Sequence, residues 1–121
     1  MSSVDFPEMR QRLFIAASSL CDQEFQDRLW RRGERLNDQE EGFDDAILFV
    51  IDELDWPAPS ELVGSVLIDD SELAAFQRLS GALRDLVRSI GQRGTFEDAV
   101  ATGGLWRGVR EAAYSLKTLL G

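Results

Sequence analysis

QEEGFDDAILFVIDELDW, residues 39–56, sets a six-residue apolar run at 46–51 between clusters of carboxylates and contains no basic residue. A continuous apolar run of this length suits a fully buried strand as well as a short buried helix, and periodicity alone leaves both open. The helix is favoured, over 44–54. Asp44 and Asp45 fall in its first turn, where negative charge complements the macrodipole. Beyond its end, Pro57 and Pro59 push the residues before them towards extended geometry. Asp52 and Glu53 are less apt, since each opposes the dipole near the last turn by a few tenths of a kcal/mol. On such a helix Ile47, Phe49, Val50, Ile51 and Leu54 enter the core, while Asp44, Asp45, Asp52 and Glu53 lie near the ends within reach of water.

Helical periodicity continues on both sides. DFPEMRQRLFIAASSL, residues 5–20, opens with Asp5 as a cap, Pro7 in the first turn and Glu8 near the positive helix end. It then places Phe6, Met9, Leu13, Ala16, Ala17 and Leu20 at helical spacing. Asp22 can cap a second helix running to residue 36, with Phe25 and Leu29 inward and Arg28, Arg31, Arg32 and Arg35 in a row along another face. NDQEEG, residues 37–42, is a polar connector. DDSE at 69–72 starts the longest helix, whose stripe of Leu73, Phe76, Leu79, Leu83, Leu86, Val87 and Ile90 ends before Gly91. Thr95 followed by Asp98 resembles a capping box that opens a small helix ended by Gly103 and Gly104. The last helix turns Leu105, Trp106, Val109, Ala112, Ala113, Leu116, Leu119 and Leu120 inward. GSVLI, residues 64–68, reads as either an extended piece or a short helical turn. The expectation is an all-α fold: one compact domain over residues 1–121, a bundle of five to six helices with at most one short extended segment, and no internal repeat or linker.

The residue inventory removes the common chemistries. The chain has no histidine and one cysteine, which strips it of the usual general base near neutral pH and of the usual zinc ligands. Neither a phosphate-binding glycine loop nor a dinucleotide fingerprint is present. Aligning Gly42 with the glycine of a calcium-binding loop puts Leu48 where a bidentate Glu belongs, so that motif fails. Carboxylates alone can still act, as paired acids or as magnesium ligands. A small carboxylate-dependent metal protein or enzyme therefore stands as the rival to a non-catalytic reading with no catalytic residue, no cofactor and no metal. Cys21 adjoins Asp22 rather than a base and reads as structural. A formal net charge of −9 disfavours direct nucleic-acid binding and anionic membranes, no apolar run approaches a membrane span, and the N-terminal residues lack the pattern of a signal peptide. The expected location is cytoplasmic.

Charge is divided along the chain. Between residues 36 and 77 there are twelve acids and no base, leaving ten of the 22 acids and all 13 bases to the flanks. Such a run is commonly plain solvated surface. Two features favour a binding role: like charges repel at 40/44 and 41/45 if the helix extends that far, and acids stand at the wrong helix end. A basic partner would offset both costs and be steered by the field. The expected partner-binding residues are Asp38, Glu40, Glu41, Asp44, Asp45, Asp52, Glu53 and Asp55, with Trp56 as the aromatic anchor or, alternatively, as a core plug closing the helix end.

FDDAILFVIDEL, a proline-containing turn, and then ELVGSVLIDDSELAAFQRLSGALRDLV together resemble a group of small acidic actinobacterial proteins of uncharacterised function. The residues that carry the resemblance are Asp44 and Asp45, residues 47–51 with Asp52, the 64–68 segment, and the helix opened by Asp69. It implies no activity and supplies no catalytic residues. In size, acidity and lack of chemistry the chain is also similar to bacterial immunity proteins, which block a toxin that is often a basic nuclease. The functional expectation is a cytosolic protein that binds a protein partner with a basic surface, as an immunity protein or inhibitor. A regulatory adaptor or homo-oligomer that uses exposed Leu and Trp is the other alternative, and oligomeric state stays open.

Overall fold

The computed structural model describes residues 4–31, 42–54, 59–91 and 94–121. Among them are six α-helices and no strand: α1 (Pro7–Cys21), α2 (Gln23–Phe25), α3 (Phe43–Leu48), α4 (Asp70–Ile90), α5 (Phe96–Ala101) and α6 (Gly104–Leu120). A π-helical stretch, Gln26–Arg31, follows α2, and a second, Phe49–Leu54, continues α3. The helical bundle expected from the sequence is the fold.

α6 packs against both α1 and α4 and forms the spine of the bundle. Leu13, Ala16, Ala17 and Leu20 of α1, Phe76, Leu79, Leu83 and Leu86 of α4, and Val109, Ala112, Ala113 and Leu116 of α6 are buried where these helices meet. Phe49 and Val50, from the α3 extension, are fully buried in the same core. Around one end of the bundle, Trp30, Phe43, Phe96 and Trp106 stack edge to face with centroids 5.6–6.1 Å apart, and Phe25 joins them through Trp30. Edge-to-face contact brings the positive rim of one ring to the negative face of the next, so this cluster ties the short helices to α6.

The expected helix boundaries are largely those observed. Asp22 accepts from the Phe25 N–H, Asp69 from the Glu72 N–H, and Thr95 and Asp98 form a reciprocal capping box. α4 stops at Gly91, where φ is +83° and a side chain would be strained. Two expectations differ, and one open alternative is resolved. The cap position of α1 is Phe6 rather than Asp5; it makes no side-chain cap bond and is exposed, because Pro7 already supplies helical φ at the first position. Leu105 and Leu119, placed inward from periodicity, are exposed near the two ends of α6, beside Trp106 and Leu120, which do pack on the core. The 64–68 segment, left open between an extended piece and a short helical turn, takes the turn: the Leu62 carbonyl accepts from the N–H groups of Ser65, Val66 and Leu67, and Gly64 takes a φ of +95°. The N-terminal segment is pinned to that turn by the Asp5 and Phe6 N–H groups, which donate to the Gly64 and Ser65 carbonyls.

Candidate functional site

The ambiguous stretch is helical throughout its described part, and its burial pattern has a physical cause. Phe43, Ala46, Ile47, Phe49, Val50, Ile51 and Leu54 are all buried, which covers more of the circumference than a helix on a protein surface usually hides. π winding adds about one residue per turn and widens the helix, and it falls where three consecutive residues, 49–51, are all buried. What stays wet between residues 43 and 54 is one narrow stripe: Asp44, Asp45, Leu48, Asp52 and Glu53. The acids thus share a face, which is a stronger arrangement than acids at two helix ends.

Beside that stripe α3 and the end of α4 enclose a cleft of about 390 Å³. Phe43, Ile47, Leu48 and Ile51 form one wall, Val87 and Ile90 the other, Gly91 and Gly94 close it, and Asp44 and Asp52 stand on its rim. Among the described residues that line it, none is basic. Leu48 is 48% exposed, a large apolar side chain held in water between the two carboxylates.

Bases do reach the acidic stretch, although none is near it in sequence. Arg12 of α1 donates to the Glu53 carboxylate at 2.9 Å, with its guanidinium 4.1 Å from the centroid of the Phe49 ring. Arg84 of α4 donates to the Ile51 carbonyl at 3.1 Å and brings a cation to the end of the helix where Asp52 and Glu53 oppose the dipole. Of the residues expected to bind a partner, the structure brings Asp44, Asp45, Asp52 and Glu53 together on one face. Asp38, Glu40, Glu41, Asp55 and Trp56 lie outside the described residues, as do Arg32 and Arg35 of the arginine row.

A second charged constellation was not legible from the sequence. Arg10 grips Glu72 with two bonds, at 2.6 and 2.9 Å, and also donates to the Val66 carbonyl. Glu72 is only 4% exposed, yet it also accepts from the Ile68 N–H at 2.8 Å. The Arg10 bonds hold the Glu72 carboxyl below the usual carboxylate range against the opposing effect of burial, with the Ile68 N–H adding to the shift. Glu72 at the third position of a helix capped by Asp69 is the one signal that marked it. Arg10, 62 residues earlier, carried none.

At the far end of α1, Cys21 and Tyr114 line a cleft of about 500 Å³ that shares Arg107 and Arg110 with a neighbouring one of about 260 Å³. Glu111 lines the first and Asp27 the second, so both contain charge of each sign. Burial pushes the Cys21 thiol up, Asp22 adds to that, and Lys117 and Arg110 oppose it. This is the environment of a packed thiol rather than a nucleophile. Among the described residues no group of three or more His, Cys, Asp or Glu side chains is placed to hold a metal ion, and no helix is long and apolar enough to cross a membrane. Comparison with family models, with curated proteins and with solved structures finds no match to this chain.

Proposed function

We propose that this chain is a non-catalytic cytosolic protein that captures a basic protein partner through the exposed stripe of α3, acting as an immunity protein or inhibitor. One observation carries the reading: every exposed residue of the α3 helix and its extension is either a carboxylate or Leu48, and two of those carboxylates flank an apolar cleft. Charge around an apolar centre is the usual anatomy of a specific interface, where the apolar part supplies affinity and the charges supply steering and orientation. The resemblance to bacterial immunity proteins in size, acidity and lack of chemistry is in keeping with this reading. Unlike Glu72, which the fold uses, Asp44, Asp45 and Asp52 have no cation supplied by the described residues that line the cleft.

The test is capture from an extract of the native host with the tagged chain and with the Asp44→Lys/Asp45→Lys/Asp52→Lys variant. The wild type is expected to retain a basic protein whose recovery falls steeply as salt shortens the Debye length from roughly 10 Å to about 3 Å, and the variant to lose it. Equal recovery by both proteins would remove the stripe from the interface. Calorimetry with Mg²⁺, Mn²⁺ and Ca²⁺ separates the carboxylate-metal rival, for which heat of binding at millimolar metal is required.

A further inference from the structure

We infer that the element seated in the α3/α4 cleft is a basic amphipathic helix of the partner, docked by aliphatic side chains between Asp44 and Asp52. The inference rests on the acidic-stripe reading above and adds the shape of what binds there. Both main walls of the cleft are helices, whose backbone groups bond within the helix, so among the described residues the cleft has no strand edge for an extended peptide to extend. Recognition must therefore run through side chains. The interior supplies Phe43, Ile47, Ile51, Val87 and Ile90, and Leu48 at the lip is the apolar surface a covering element would take out of water.

Size and charge select the occupant. A helix is about 10–12 Å across, too wide to enter a cleft of about 390 Å³ bodily, whereas a few of its leucine or isoleucine side chains fit while the helix lies across the mouth. Asp44 in the α-helical part and Asp52 in the π-helical extension lie eight residues, about two turns, apart along the exposed stripe. Lysines or arginines seven residues apart on the docked helix span about 10.5 Å, so two turns of a basic amphipathic helix match the two carboxylates with the anchors between them. The Arg107/Arg110 clefts contain charge of both signs, whereas the described lining of the α3/α4 cleft carries carboxylates alone as its charged groups.

The experiment uses the ¹⁵N-labelled full chain and two synthetic peptides of equal composition. In the first, leucines at i+3 and i+4 lie between lysines at i and i+7 on one helix face; in the second, the same residues are scrambled around a central proline. The expected result is amide shifts at Leu48, Ile51, Asp52, Val87 and Ile90 with the first peptide, which binds at least about tenfold more tightly than the second. Binding should weaken about tenfold in Asp44→Asn/Asp52→Asn, a surface change that leaves the core intact. Gly94→Ala gives an independent arm without altering charge: its Cβ would fall 2.5 Å from an Ile90 side-chain carbon, so Ile90 must shift in the cleft wall and affinity should drop. Equal binding of both peptides would overturn the helical occupant while leaving the acidic stripe as the interface. Shifts confined to the Arg107 end, or no shift at millimolar peptide, would overturn the site itself, and host-extract capture would then decide separately whether the stripe binds anything.

Discussion

Two acidic regions occur within the same base-free interval of the chain, and the fold treats them oppositely. At the start of α4, Glu72 is drawn inside, gripped by Arg10 and bonded to the Ile68 N–H. On α3, Asp44, Asp45 and Asp52 are left outside on a face that contains an exposed leucine. A deficit of bases along the sequence is thus not a deficit in space. Arg10, Arg12 and Arg84 cross from α1 and α4 to serve Glu72, Glu53 and the Ile51 carbonyl. Among the described acids of α3 and its extension, setting aside Glu53, which Arg12 engages, leaves Asp44, Asp45 and Asp52.

The largest effect that can break this contrast is on stability. Glu72→Ala leaves the mostly buried Arg10 guanidinium without its carboxylate and frees the Ile68 N–H, and removing one member of a buried pair costs about 3 kcal/mol or more. Asp44→Ala and Asp45→Ala should each stay within about 0.5 kcal/mol of the wild type. Urea denaturation of the three variants measures this. A Glu72→Ala loss no larger than those at the aspartates would mean that the two regions do not differ in kind.

Acid should sharpen the same contrast. The Glu72 carboxyl titrates lower in the folded chain than in the unfolded one, so over the pH range between the two values the folded chain binds fewer protons. Its contribution is complete above the ordinary carboxylate range and is lost as pH falls through the depressed folded value. Stability measured downward from neutral pH should therefore decline at the acid end, with a shallower decline in Glu72→Gln.

How much of this could be read beforehand depends on sequence distance. The caps at Asp22, Asp69 and Thr95 and the stop at Gly91 are local, involving residues three or four apart, and they were legible. So were the buried residues 47, 49, 50, 51 and 54, because a run so apolar has to go inside on either reading. The Arg10–Glu72 pair, the arginines that reach α3 and the second wall of the cleft join residues 33–62 positions apart or more, and no local pattern encodes them. Val87 and Ile90 illustrate the point: periodicity assigned them to the core stripe of α4, and they are half-buried there, but their remaining surface lines the cleft. Trp30 passed without notice because one tryptophan in an arginine-rich stretch has no period, and only the fold reveals its place among Phe25, Phe43 and Phe96.

The smallest effect is the most direct test of whether α3 is shaped for itself or for something else. Asp44 lies in the first turn of the helix and Asp52 in its π-helical extension towards the other end. The dipole favours the first charge and disfavours the second, so Asp44→Asn should lower stability by a few tenths of a kcal/mol and Asp52→Asn should raise it by a similar amount at low salt. Both differences should shrink in high salt, because the groups are exposed. Arg84 works against the second effect by placing its cation on the Ile51 carbonyl, so combining Asp52→Asn with Arg84→Ala should enlarge the gain from the aspartate change relative to an Arg84→Ala background. Were Asp52→Asn neutral in both backgrounds, the acid would cost the helix nothing, and its position would be as well explained by solubility as by a partner. A gain in stability coupled to a loss of partner binding would place Asp52 among residues that trade folding free energy for recognition.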